Sequence, residues 1–209
     1  LGGGVAGGVF TSVWKGKQQR WVGISDPYIV PEPSDGLFTM VLCARVLDVS
    51  LASSGCLASL KSRDLRHWEK PSLLAWPACF ERMETPQFWK RHERWYLSFG
   101  GVLDISWVKA NEKLLPEAVL GQPSHQNFCY TLDGPEEPAD ETRLRHIAAP
   151  RGHYIMKILP ITPEQDVAIF TSTVQNDSGI SPPYIVKYGN DQSLVLETDA
   201  KLQDAVRSR

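Results

Sequence analysis

The chain has 209 residues, of which 42% are hydrophobic and 22% are charged, with a formal net charge of −2. This length and composition suit one large globular domain with a sizeable core. The near-neutral charge and the absence of a basic stripe argue against a nucleic-acid partner. No run reaches the roughly 18 apolar residues of a membrane-spanning helix, so we expect no membrane partner.

The chain opens with a Gly-rich segment, LGGGVAGG, which we interpret as a flexible start over residues 1–8. It lacks an initiator Met and has no pattern of a signal peptide, so we expect a cytoplasmic protein whose start was cut, processed or incompletely observed. The four cysteines include no CxxC pair, which argues against zinc and favours reduced thiols, with Cys43 buried.

Short apolar runs separated by turns predict an all-β chain. A long apolar run predicts a buried strand at Leu37 to Val46, and a charged turn joins two strands after Glu84. The pattern weakens after Gly101, where we expect a short helix over residues 111–120, and residues 198–209 read as a polar tail. Further strands are predicted at Val9 to Trp14, Trp21 to Ile24, Gly55 to Ser62, Phe128 to Leu132, Gly152 to Leu159, Asp166 to Val174 and Ile180 to Tyr188.

Four segments share one layout: a polar or Pro-containing start, a short apolar strand, a polar turn and a second apolar strand. They begin at Asp26, Glu84, Gly152 and Pro182. Repeated β units favour a radial array, since a single unit cannot bury both of its faces. We therefore predict one β-propeller domain over residues 1–209, in which Asp26, Glu84 and His153 converge at one end of the central channel. A β-sandwich with coincidental hairpins is the alternative.

Several of these residues resemble a known group, the five-bladed β-propeller glycoside hydrolases, which include β-fructosidases and arabinanase/β-xylosidases. The shared features are an Asp-Pro pair at Asp26, a Glu-x-Pro motif at Glu84, the Phe-x6-Trp-Tyr-Leu hairpin from Phe88, and the Ser-x-Asp-Leu-x-His-Trp segment from Ser62 to Trp68. A His that opens the fourth blade is also common in this group, here His153. The matching order covers roughly residues 24 to 190.

The resemblance implies cleavage of a furanoside or related glycosidic bond, with Glu84 as general acid and Asp26 as its supporting carboxylate. We take His153, Trp89 and Asp104 as substrate-binding candidates, and we expect neither a metal nor a cofactor. Aromatic side chains suit sugar rings, although Trp89, Trp95 and Trp107 also fit packing between blades. The partner is then a carbohydrate or another small molecule, and the oligomeric state is left open.

The sequence also departs from that group. β-Fructosidases usually carry Arg before Asp-Pro and Cys after Glu, where this chain has Ser25 and Thr85. Both families place a further Asp on the first blade, but the 25 residues before Asp26 contain no Asp or Glu. Either the first blade is missing from this chain or the protein is a divergent relative. The alternatives are thus a non-catalytic propeller that binds a sugar or partner, and a propeller enzyme of specialised metabolism.

Overall fold

The structure, a computed structural model, describes residues 8–30, 36–104, 125–135, 137–150, 152–172, 179–191 and 193–200. The predicted helix at 111–120, Trp107, residues 1–7 and the tail from residue 201 lie outside this part. The described residues are almost entirely β, with 3-10 turns at Leu51–Ser53 and Glu141–Arg143. None of their helices has the length and apolarity needed to cross a membrane. The all-β prediction is confirmed.

Three antiparallel sheets follow one another along the chain, and in each sheet neighbouring strands are consecutive in sequence. The first sheet contains β1 (Val9–Trp14), β2 (Lys17–Ile29), β3 (Phe38–Val46), β4 (Gly55–Ser62) and β5 (Ser72–Ala75). The second contains β6 (Arg82–Arg91), β7 (Arg94–Val102), β8 (His125–Leu132) and β9 (Leu144–Ile147). The third contains β10 (His153–Thr162), β11 (Gln165–Ser172), β12 (Tyr184–Tyr188) and β13 (Leu194–Thr198).

The sheets pack against one another in chain order. Strand β6 contacts β2, β3 and β4 of the first sheet, and β10 contacts β6, β7 and β8 of the second. One apolar core joins the first and second sheets, including Val41, Leu57, Phe80 and Phe88. A second core joins the second and third sheets, with Tyr96 facing Met156. Successive meander sheets packed through their faces are the blades of a β-propeller, and the described residues form three of them.

The three strands β2, β6 and β10 share a local irregularity. Pairing with the next strand shifts between Ser25 and Tyr28, between Glu84 and Gln87, and between Tyr154 and Lys157. Each gap holds a non-glycine residue with left-handed backbone: Asp26 (φ 54°), Thr85 (φ 47°) and Ile155 (φ 57°). A bulge of this kind bends a strand and re-aims the side chains beside it.

These bulges correct the repeat that the sequence predicts. The structurally equivalent residues are Ser25, Glu84 and Tyr154, so Asp26 lies one position after its predicted place and His153 one position before. The fourth repeat, from Pro182, does not open a sheet of its own. It supplies the outer strands β12 and β13 of the third sheet. The predicted repeat is right about the order strand, turn, strand. It is wrong about the outer strands β12 and β13, which belong to the third sheet and not to a new blade.

Candidate functional site

Glu84 lies within β6, just before the bulge, with its side chain 23% exposed. Its Oε1 atom is 2.8 Å from Nη1 of Arg82. Its Oε2 atom accepts a hydrogen bond of 2.9 Å from the hydroxyl of Tyr154, on β10 of the third sheet. The sequence predicts Glu84 at a strand end, whereas β6 begins two residues earlier and continues to Arg91. Both carboxylate oxygens are therefore held while the side chain stays partly open to solvent.

Tyr154 reaches Glu84 because Gly100 leaves space for its ring. Gly100 pairs with Glu84 across β6 and β7, and a Cβ atom at Gly100 would lie 2.7 Å from Tyr154 Cζ. The edge of the His125 ring also contacts the phenol, with centroids 5.1 Å apart. Burial, followed by the charge of Glu84, raises the pKa of Tyr154 well above its ordinary value. The phenol therefore stays protonated and acts as a donor to the carboxylate.

Asp26 joins the first sheet to the same place. Its Oδ2 atom accepts a 3.0 Å hydrogen bond from the backbone N–H of Thr85, the residue after Glu84. The thiol of Cys43 donates to the same oxygen at 3.6 Å. Burial raises the pKa of Cys43, and the charges of Asp26 and Glu84 raise it further. Cys43 is buried and free, as predicted, and it serves here as a neutral donor.

Lys157, on the third sheet and three residues after Tyr154, binds the backbone that follows Glu84. Its Nζ atom donates to the backbone oxygen of Thr85 at 2.8 Å and to that of Pro86 at 3.3 Å. The same ammonium lies 6.0 Å from the centroid of the Tyr28 ring. Burial lowers the pKa of Lys157, and the negative charge of Asp26 partly opposes that shift. Three sheets thus contribute side chains to one short segment of β6.

His153, the third residue predicted at the channel, begins β10. Its ring packs inside the third sheet against Phe170, and its Nε2 atom lies 3.5 Å from the hydroxyl of Tyr184. Successive side chains on a strand point to opposite faces of the sheet, and of these two neighbours Tyr154 is the one with a described bond to Glu84. Sequence reasoning missed Tyr154. The polar-start pattern of the repeats does not mark the bulge at Ile155, which makes Tyr154 rather than His153 the equivalent of Glu84.

Trp89 packs between the second and third sheets. Its ring stacks on Tyr96 with centroids 5.5 Å apart, and its Nε1 atom donates to the Tyr188 hydroxyl at 3.1 Å. It also borders a cavity of about 270 Å³ with Tyr28 and Trp95. No described contact joins Trp89 to Glu84. The position of Trp89 therefore agrees with the alternative that its ring packs between blades.

Asp104 lies two residues beyond the end of β7 and is partly exposed. Because Val102 pairs with Arg82, Asp104 lies near the end of the second sheet at which β6 begins. His125, the first residue of β8, lies at the same end of the sheet. Among the residues that the structure describes, no group of three or more His, Cys, Asp or Glu side chains could hold a metal ion.

No protein-family model matches this chain, and a search of curated proteins finds no similar sequence. Solved structures do match. A Bombyx mori GH32 β-fructofuranosidase aligns over 94% of this chain and 48% of its own, with 10% identity and a TM-score of 0.60. A Bacillus subtilis levansucrase aligns over 83% of this chain and 49% of its own, with 13% identity and a TM-score of 0.57.

A thermostable family-43 glycoside hydrolase aligns over 86% of this chain and 58% of its own, at 12% identity and a TM-score of 0.59. The fold is that of the β-propeller glycoside hydrolases. The chain spans about half the length of these structures. At 10–13% identity the likeness concerns the fold, and the chemistry of the β-propeller site must be argued from its own residues.

Proposed function

We propose that this protein cleaves a furanoside or related glycosidic bond, with Glu84 as the proton donor and Asp26 as a supporting carboxylate. One observation carries the proposal: Glu84 is partly exposed and oriented by Arg82 and Tyr154, and Asp26 binds the adjacent peptide group. Most glycosidases need two carboxyl groups about the bond that they break. The two candidates come from neighbouring blades and meet at the same bulge of β6.

The carboxylate of Glu84 keeps hydrogen-bonding capacity that a substrate could use. Among the described residues each carboxylate oxygen of Glu84 has one partner, and a carboxylate oxygen can accept two hydrogen bonds. Either atom can therefore accept a further hydrogen bond, for example from a sugar hydroxyl, while it keeps its bond to Arg82 or Tyr154. Both described hydrogen bonds to Asp26 are accepted by its Oδ2 atom. Oδ1 is therefore the oxygen that would face a ligand.

The substrate class rests on the structural neighbours. A mutant of the Bombyx β-fructofuranosidase was solved in complex with sucrose, and so was a levansucrase variant. Sucrose contains a fructofuranosyl unit, which makes aryl furanosides and sucrose the first compounds to test. These neighbours support a furanoside over other glycosides.

The decisive experiment compares Glu84→Gln with the parent protein on sucrose and on aryl fructofuranoside and arabinofuranoside. Glutamine keeps the size of the side chain but cannot donate an acidic proton, so we expect hydrolysis to fall about 100-fold or more. Glu93→Gln is the matched control, because Glu93 lies exposed in the turn between β6 and β7 and pairs with Lys90. Equal turnover by Glu84→Gln and the parent would refute the proposed acid.

A non-catalytic sugar-binding propeller is the second candidate. It is favoured by the same pair of contacts, since Arg82 and Tyr154 already engage both oxygens of Glu84. An acid must move its proton to the leaving oxygen, whereas a binding group needs only to stay in place. Calorimetry with sucrose that shows binding without hydrolysis would select this candidate, and measurable turnover would reject it.

A further inference from the structure

The segment from Glu84 to Gln87, here called the Thr85 turn, has a conformation that its sequence does not favour. Thr85 is β-branched, yet its φ of 47° lies in the left-handed region. Its hydroxyl oxygen is buried and has no hydrogen-bond partner among the described residues. Such a backbone persists only where its surroundings impose it, and it clusters at functional sites. The contacts that impose it therefore matter for the direction of Glu84.

Two charged side chains hold the backbone on either side of the strained residue. Asp26 accepts from the N–H of Thr85 at 3.0 Å, and Lys157 donates to the C=O of Thr85 at 2.8 Å. Lys157 also donates to the C=O of Pro86 at 3.3 Å. Charge-assisted bonds of this kind are stronger than bonds between neutral groups. A carboxylate on the first sheet and an ammonium on the third thus fix one peptide segment of the second.

We propose that Lys157 is a positioning residue: with Asp26 on the opposite side, it holds the Thr85 turn and so sets the direction of the Glu84 carboxylate. Tyr154 and Lys157 flank the bulge at Ile155, so one strand both donates to that carboxylate and holds the backbone behind it. The contacts of Asp26 and Lys157 with the Thr85 turn are here called the clamp. The clamp is inferred from geometry alone. Its consequence for catalysis rests on the proposed function.

Hydrogen–deuterium exchange of the peptide from Met83 to Phe88 tests the clamp without any substrate. Lys157→Met keeps an apolar stem of similar length but removes the donors, so we expect the amide of Thr85 to exchange about tenfold faster or more. Lys187→Met is the matched control, because Lys187 is an exposed lysine on β12 of the same sheet. The peptide from Phe38 to Val46 should exchange at the parent rate in both variants, which separates a local effect from global unfolding.

Thr85→Gly supplies a second route if Lys157→Met fails to fold. Glycine adopts a positive φ without strain, so the turn then depends less on its clamp. We expect Lys157→Gln to accelerate exchange at the turn strongly in the parent and weakly in the Thr85→Gly background. Equal acceleration in both backgrounds would overturn the clamp, and so would exchange in Lys157→Met that matches Lys187→Met.

Kinetics separate the clamp from the proposed function. If the protein is a glycosidase, Lys157→Met should lower kcat about tenfold or more with KM changed less than about twofold, because a misdirected acid affects the transition state more than binding. An unchanged kcat alongside faster exchange would overturn the positioning role while leaving the acid intact. Absence of hydrolysis by the parent protein refutes the proposed function, and the exchange result then still decides the clamp.

Discussion

Because Gly100 has no side chain, the ring of Tyr154 can lie where it does. A Cβ atom there would be 2.7 Å from both Cζ and the hydroxyl oxygen of Tyr154, and both belong to a buried ring that has little room to move. The same phenol donates to Oε2 of Glu84. Gly100 thus links the packing of β7 to the orientation of the candidate acid, although no atom of Gly100 is itself reactive.

We therefore expect Gly100→Ala to lower the free energy of unfolding by about 1–3 kcal/mol, the usual cost of overpacking. The displaced phenol should also weaken or abolish sucrose binding or hydrolysis, whichever the parent protein shows. Urea denaturation and calorimetry measure the two effects. Gly134→Ala is the control, since no described atom lies within 4 Å of a Cβ at that position. Parent-like stability and function in Gly100→Ala would contradict this account of Tyr154.

At the scale of elements, β10 is an edge strand of the third sheet, so part of its backbone has no strand partner among the described residues. Side-chain amides of the second sheet supply the missing bonds. Gln87 donates to the C=O of Ile158 and accepts from its N–H, both at 2.7 Å. Asn127 donates to the C=O of His153 at 3.2 Å and accepts from the N–H of Met156 at 3.0 Å. The two amides form the backbone hydrogen bonds that a neighbouring strand would form. They thereby fix β10 against β6 and β8.

Gln87→Leu should therefore destabilise the protein by about 2–4 kcal/mol, because it leaves two buried backbone groups of Ile158 unpaired. The loss appears in the midpoint of chemical denaturation, with the denaturant dependence unchanged. Gln18→Leu is the control at an exposed position of β2 and should change stability by less than about 0.5 kcal/mol. A change in Gln87→Leu as small as that in Gln18→Leu would show that the amide does not join the two sheets.

For the whole molecule, thiol burial has a consequence for stability. All four cysteines are free, and three of them are buried. Burial raises the pKa of Cys43, Cys56 and Cys129 strongly, and it raises the pKa of Cys79 to about 12. The unfolded chain loses these protons near pH 8.5, while the folded chain keeps them. The folded state then binds more protons, so the free energy of unfolding falls as pH rises.

We expect urea denaturation to show a steady loss of stability from pH 8 to pH 9.5, of up to about 1.4 kcal/mol per pH unit for each thiol. Burial lowers the pKa of Lys157, which acts in the opposite direction, but one amine does not offset four thiols. Replacing Cys129 by Ala should reduce the slope measurably. Stability that is constant or rises over this pH range would contradict the burial of the thiols.

Much of the fold follows from the sequence because local patterns encode it. Alternating apolar residues and the charged turn predict the hairpin of β6 and β7, where His92 and Glu93 both have positive φ. The repeat indicates a propeller, and the Glu-x-Pro and Asp-Pro motifs single out Glu84 and Asp26. Resemblance supplied their roles, which stay predictions, as do those of His153, Trp89 and Asp104.

Contacts that cross from sheet to sheet could not be predicted in this way. The bond from Tyr154 to Glu84 joins residues 70 positions apart, and that from Lys157 to Thr85 joins residues 72 apart. Which side chain faces a neighbouring sheet depends on strand register, and a bulge shifts that register by residues that no periodicity marks. The sequence by itself determined an all-β chain of repeated hairpins with two candidate carboxylates. Only the packing of the three sheets decided that Tyr154 donates to Glu84 and that Lys157 binds the backbone of Thr85 beside it.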